Sequence, residues 1–231
     1  MLIGIDAGHG GRDPGAVGRD LGTRESDVAL AISKEVASLL KIAGVKTFMT
    51  RSIDETKTLL TRTSLLNNMK CTYAVSIHIN AAANRSANYI STFIQAKGGE
   101  AEKLAEKVQL EMVKETGWKN GGVRVQNFHM TRETKMPAIL VECGFISNAE
   151  QERELRKPEV QKKFAKAIVN GVLDHIGKEV EQVEDWKTKI MKEAHDLGLI
   201  DLKHGHKPNE TATKWFVLAI GINILKKLGG K

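Results

Sequence analysis

Short apolar runs alternate with segments of helical period through the first part of this chain, and this alternation constrains the fold more than any other feature. Such an order is typical of a parallel or mostly parallel sheet that is covered by helices. The predicted strands are residues 2–7, 45–50, 73–77, 91–95, 123–126 and 139–142. We therefore expect an α/β fold with a twisted, mostly parallel, six-stranded sheet that is flanked by helices.

Helical segments separate and follow these strands. The first helix is expected to begin at Ser26, as a side-chain N-cap, and to end at Gly44. The next three helices are predicted over residues 58–68, 100–115 and 158–176. Residues 1–177 thus form the predicted α/β domain, residues 178–184 a linker, and residues 185–231 a small C-terminal helical domain.

The composition excludes several classes of protein. With 41% hydrophobic and 27% charged residues, the chain of 231 residues is neither disordered nor fibrous. Aromatic residues make up 5%, which argues against a nucleic-acid surface built on base stacking, while the net charge of +7 favours a polyanionic partner. Two cysteines are too few for a disulfide framework, and no apolar stretch reaches the ~20 residues that span a bilayer.

Polar residues of metal-binding type stand at the ends of the apolar runs. His9 follows the first run in a glycine-rich turn, His78 ends the third, and Glu25 opens the first helix. Two histidines and a carboxylate leave one position free in a tetrahedral zinc shell, as hydrolytic zinc requires. Glu142 follows the last apolar run, where a carboxylate is costly unless it is paired or lies near a cation. Metal-assisted hydrolysis, with Glu142 as the base, is therefore the leading hypothesis.

Each of these residues also has a simpler interpretation. His9 could belong to a structural turn or a phosphate-binding loop, although the pattern is not G-x-G-x-x-G and no Walker lysine follows. Glu25 could merely complement the helix dipole, and His78 could be a hydrogen-bonded core histidine. The remaining histidines, His129 among them, show no ligand spacing.

The four residues stand in motifs that resemble the zinc-dependent N-acetylmuramoyl-L-alanine amidases of the amidase-3 type. The resemblance runs in the family's order from residue 2 to residue 176. The motifs are residues 6–11 (DAGHGG), Glu25 before a helix, residues 76–80 (SIHIN) and residues 141–148 (VECGFISN), supported by Thr50, Arg51, Asp54, Arg62 and residues 132–137 (RETKMP).

This resemblance implies that His9, Glu25 and His78 bind one zinc ion and that Glu142 is catalytic. It implies hydrolysis of the amide between N-acetylmuramic acid and L-alanine in bacterial peptidoglycan, which lyses the wall. Asn80 and Arg132 are candidates for contacts with the substrate or with the zinc ligands. The chain departs from the family at Ala29 and Thr131, which puts local packing or substrate detail in doubt but not the chemistry. The rivals are another zinc hydrolase and a wall-binding protein without catalysis.

The C-terminal residues 185–231 faintly resemble one surface-layer-homology motif. This predicts binding to the cell wall, including its anionic polymers, or self-association. The alternatives are a membrane-active amphipathic helix over residues 211–228 and a purely stabilising helical pair. Because Met1 leads directly into a strand without a signal peptide, we expect cytoplasmic synthesis as an endolysin or an autolysin, and release by holin-type export or mother-cell lysis.

Overall fold

The structure is a computed structural model that describes residues 1–178 and 195–196. The predicted linker and C-terminal helical domain, apart from Lys178 and residues 195–196, lie outside the described residues. In residues 1–178, no helix is both long enough and apolar enough to cross a membrane.

Six strands form one mixed, mostly parallel sheet. They are β1 (Leu2–Ala7), β2 (Lys46–Met49), β3 (Tyr73–Asn80), β4 (Tyr89–Ile94), β5 (Lys119–Val125) and β6 (Ala138–Phe145). The order across the sheet is β2-β1-β3-β6-β4-β5. Only the β4–β6 pair among these strands is antiparallel, so β4 and β5 run opposite to the other four. The expected α/β architecture is confirmed, with this one reversal.

Helices lie between and after the strands. They are α1 (Glu25–Ile42), α2 (Leu59–Asn68), α3 (Glu100–Thr116), α4 (His129–Arg132), α5 (Ala149–Leu155) and α6 (Pro158–His175). Thr58 caps α2, because its side-chain oxygen accepts a hydrogen bond from the Thr61 N–H at 3.1 Å. The expectation that Ser26 caps α1 is wrong: the helix already begins at Glu25, and the Ser26 hydroxyl has no partner among the described residues.

The two faces of the sheet are covered differently. Helix α6 contacts both α1 and α3, and the three helices pack on one face, over the main hydrophobic core. Helices α2 and α4 contact each other, and α4 packs on β6, near a smaller cluster that contains Ala74 and Ala138. Because side chains alternate along a strand, Ala74 shares its face with His78, and Ala138 shares it with Glu142. His78 and Glu142 are direct register partners in β3 and β6, which places both on the α2/α4 side of the sheet.

Candidate active site

The turn that carries His9 requires an unusual backbone. His9 follows β1 and has a φ of 57°, in the left-handed region that side chains other than glycine rarely adopt. A Cβ atom at the preceding Gly8 would lie 2.4 Å from the His78 ring. Glycine at this position therefore lets the imidazole of His78 approach the turn closely.

Two buried arginines stabilise this turn by hydrogen bonds to its carbonyl oxygens. Arg51 donates hydrogen bonds to the carbonyl oxygens of Ala7 at 2.8 Å and Gly8 at 2.7 Å. Arg62 donates to the Ala7 oxygen at 2.5 Å and also to the carbonyl oxygen of His9. Since every carbonyl from Ala7 to His9 accepts from a guanidinium, the position of His9 is fixed by protein contacts alone.

Asp6 balances the charge of this buried group. Its carboxylate accepts hydrogen bonds from Arg62 at 2.9 Å, Thr50 at 2.6 Å and Ser76 at 2.7 Å. Burial raises the pKa of Asp6, but the positive charge of Arg62 and the hydroxyl hydrogen bonds outweigh it, so the pKa lies below its usual value. Asp6 is therefore the anionic partner of Arg62 beneath the site.

A second carboxylate orders the segment that leads into Glu25. Glu152 of α5 is fully buried and accepts backbone hydrogen bonds from Asp20 at 3.1 Å, Leu21 at 3.0 Å and Thr23 at 3.1 Å. These contacts satisfy N–H groups just before α1. They fix the chain where Glu25 begins the helix.

His9, Glu25 and His78 converge on one point. One donor atom from each lies within 4.8 Å of the others. The Glu25 Oε1 atom is 2.9 Å from His78 Nδ1 and 3.2 Å from His9 Nε2. His9 Nδ1 lies 2.8 Å from the Asp13 carboxylate, which holds the proton on Nδ1 and leaves the Nε2 lone pair directed at the cluster.

The cluster favours an ionised carboxylate. Burial raises the pKa of Glu25, but hydrogen bonds with His78 and His9 outweigh it and hold the pKa well below its usual value. Burial lowers the pKa of His9, whereas Glu25 and Asp13 raise it, with a net upward shift. This concentration of negative charge around two imidazoles is what a divalent cation requires.

Glu142 faces this cluster as an unpartnered acid. It is buried, and its Oε2 atom has no hydrogen-bond partner among the described residues. Burial raises the pKa of Glu142 well above its usual value, and the nearby charge of Glu25 raises it further. Its neighbour Cys143 belongs to the main core on the other face of the sheet. The carboxyl group of Glu142 is therefore a base available to a bound ligand.

A cavity of about 340 Å³ opens over these groups. Asn80 lines it, half-buried, and its Oδ1 atom accepts a hydrogen bond from the Ala81 N–H at 2.8 Å. Leu59, Phe128 and Met130 from α2 and the α4 region form an apolar wall. An apolar cavity with few convergent polar groups is the usual form of a ligand site.

The structure does not bring Arg132 to the walls of this cavity. Its guanidinium donates to Asn127 at 3.0 Å and to Glu133 at 2.6 Å instead, on the exposed side of α4. His129, at the start of the same helix, does line the cavity. The sequence does not single out His129, because a helix of four residues has no period that shows which side chain faces inwards.

Comparison with known proteins places the chain among amidases. Residues 3–174 match the N-acetylmuramoyl-L-alanine amidase family. The chain is similar to the uncharacterized protein YqiI of Bacillus subtilis (strain 168), with 37% identity over 170 residues, which are 73% of this chain and 81% of YqiI. It is also similar to the endolysin of Bacillus phage SPP1, with 31% identity over 178 residues, which are 75% of this chain and 65% of the endolysin.

The fold has a close counterpart among solved structures. The catalytic domain of CwlV, an N-acetylmuramoyl-L-alanine amidase from Bacillus (Paenibacillus) polymyxa var. colistinus, superposes with a TM-score of 0.74 and 34% identity. The match covers 77% of this chain and 99% of the CwlV domain. The described α/β domain thus corresponds to one whole catalytic domain.

Proposed function

Because the chain belongs to the N-acetylmuramoyl-L-alanine amidase family, we propose that it hydrolyses the bond between N-acetylmuramic acid and L-alanine with one zinc ion, held by His9, Glu25 and His78. The observation that carries this proposal is the convergence of these three side chains beside the unpartnered carboxyl group of Glu142. Peptidoglycan is the substrate that the family implies, and the chain is a cell-wall hydrolase.

The residues present fit zinc. Two imidazole nitrogens and one carboxylate oxygen form a donor set of hydrolytic zinc sites. Asp13 orients the His9 ring from behind, as carboxylates commonly do for histidine ligands. Glu25 stays ionised because its hydrogen bonds lower its pKa, so the set carries the negative charge that offsets a cation.

Bound zinc supplies a Lewis acid, which makes water a usable nucleophile near neutral pH and polarises a carbonyl group. Glu142 takes the proton from the attacking water and delivers it to the amine that leaves as L-alanine. Its Oε2 atom has no hydrogen-bond partner among the described residues, so it is free to accept that proton and to return it. Asn80 lines the same cavity and is proposed to contact the substrate.

Contacts with the wall outside the catalytic cavity are a separate part of the proposal. The net charge of +7 supports attraction to anionic wall polymers. Residues 185–231, of which the structure describes only residues 195–196, are proposed to bind the wall or to self-associate. We also propose synthesis in the cytoplasm and action on the wall after holin-type export or mother-cell lysis; one of the similar proteins is a phage endolysin.

The test is digestion of purified peptidoglycan with added zinc or with a chelator, followed by mass spectrometry. We expect new L-alanine amino termini on the released peptides, together with intact glycan strands, in the zinc sample only. Glu142→Ala serves as the matched inactive control. New reducing ends, or cleavage that survives both the chelator and Glu142→Ala, would contradict the proposed reaction.

A further inference from the structure

The active-site cavity contains one polar group that the mechanism above does not use. Among the described residues that line the cavity, His129 is the only titratable side chain outside the cluster of His9, Glu25 and His78 and the base Glu142. It stands at the start of α4, which packs on β6, the strand that carries Glu142. Its place in the fold is therefore set by the same strand as the base.

A contact with α2 determines which nitrogen of His129 carries the proton. His129 Nε2 lies 3.3 Å from Thr63 Oγ1. The Thr63 hydroxyl is itself placed to donate its proton to the carbonyl oxygen of Leu59 or Leu60, each at 3.2 Å. The Thr63 oxygen then accepts from an Nε2–H group, so Nδ1 of the neutral ring is left as an acceptor. Within the described part of the chain, Nδ1 has no hydrogen-bond partner.

The wall around His129 strengthens any hydrogen bond that it makes to a ligand. Phe128 and Met130, its neighbours in sequence, line the cavity together with Leu59. Apolar surroundings lower the local dielectric constant and exclude competing water. An acceptor in such a wall discriminates strongly between a ligand that offers an N–H group and one that does not.

The chemistry of the reaction identifies the matching donor. An amide nitrogen becomes a leaving amine only after its lone pair turns towards an acid and receives a proton. Glu142 delivers that proton in the proposed mechanism. A hydrogen bond from the amide N–H to an acceptor elsewhere on the cavity wall would hold the N–H away from Glu142 and leave the lone pair free to face it.

Resting on the proposed amidase function, we propose that His129 is a further catalytic residue, whose Nδ1 accepts a hydrogen bond from the N–H of the scissile amide. Thr63 is its positioning residue, because it fixes the tautomer and the ring. The His129 bond orients the leaving nitrogen, while proton transfer remains with Glu142.

The test compares three substitutions of His129 in the full chain. The Asn oxygen or nitrogen occupies the place of Nδ1, whereas the end of a Gln side chain occupies the place of Nε2. We expect His129→Asn to retain most of kcat/KM, and both His129→Gln and His129→Leu to lose about tenfold, the effect of one ordinary hydrogen bond. Glu133→Gln, an exposed change just after α4, is the matched control.

An ester analogue makes the test specific for the N–H group. In this substrate L-lactic acid takes the place of L-alanine, so that an ester oxygen replaces the amide nitrogen and no N–H group is present. His129→Leu should hydrolyse the ester as fast as the parent protein does, with an unchanged zinc content and thermal midpoint. An equal loss on amide and ester, or equal activity of the Asn and Gln variants, would overturn the role of His129. Failure of the parent protein on the amide would instead refute the proposed function.

Discussion

Glu142 shows how a single residue can oppose the stability of the domain that holds it. It is a buried acid with an unpartnered oxygen, which burial and the charge of Glu25 hold at a raised pKa. Because this pKa is raised in the folded state, the free energy of unfolding of the domain falls as the pH rises above the pKa of the unfolded state, which is about 4.3. At neutral pH the metal-free domain is therefore less stable than it would be without this buried base, whose free oxygen is available to a ligand.

Glu142→Gln should separate activity from stability. The amide keeps the shape of the side chain but cannot take a proton from water, so kcat should fall by about 10²–10⁴-fold. Because the variant has no buried charge at this position, the metal-free form should be at least as stable as the parent at pH 7 in urea unfolding. Cys143→Ser, next in sequence but on the core face, is the control and should keep most of the activity. A substantial activity in Glu142→Gln would show that another group is the base.

At the scale of the elements, the site depends on how the turn after β1 is attached to its surroundings. Arg51 and Arg62 hold three successive carbonyls of that turn, and Asp6 neutralises Arg62 from within β1. Water would solvate these charged side chains in the unfolded chain. Their burial is therefore favourable only while each keeps its hydrogen bonds to the others and to the turn.

Arg62→Met should leave Asp6 as an uncompensated buried carboxylate and cost about 3–5 kcal/mol in the free energy of unfolding at pH 7. The pKa of Asp6 is lowered in the parent, so its contribution is present at neutral pH and is lost as the pH falls through that lowered value. In the variant Asp6 can accept a proton more readily, so the difference from the parent should shrink towards pH 4. Urea unfolding at both pH values measures this, with the exposed Arg153→Met as the control. A difference that grows on acidification would contradict the pairing.

The strands and the outline of the site could be predicted because they depend on local patterns. His9, His78 and Glu142 each follow or end an apolar run, so a polar residue stands out there. The family resemblance includes Arg62, but no local pattern predicts its contact with Asp6, because Asp6 is 56 residues away and the sequence does not show that either residue is buried. The antiparallel pairing of β4 with β6 could not be predicted either. A run of apolar residues predicts a strand, but it does not show whether that strand is parallel or antiparallel to its neighbours. Helices α4 and α5, with 4 and 7 residues, are too short to show a helical period.

At the scale of the whole molecule, catalysis and wall binding should be separable. The CwlV catalytic domain is matched over 99% of its length by 77% of this chain, so residues 1–178 are expected to fold and act alone. Deletion of residues 185–231 should leave hydrolysis of a small soluble muropeptide undiminished and weaken binding to whole walls. A sedimentation assay with purified walls measures the second effect. Unchanged wall binding would contradict the prediction that this segment is a wall-binding module.

The order of the strands also bears on when the active site can form during synthesis. β6 is the last of the six strands in residues 1–178, yet it lies between β3 and β4 in the sheet. Until it is inserted, β3 and β4 have no common neighbour and Glu142 is not beside His78. Pairing over such sequence separations is slow, because a long loop must close before any contact forms. A nascent chain that ends before Phe145 therefore holds the metal-binding residues without the assembled site, and hydrolysis of the wall can begin only after the last strand is complete.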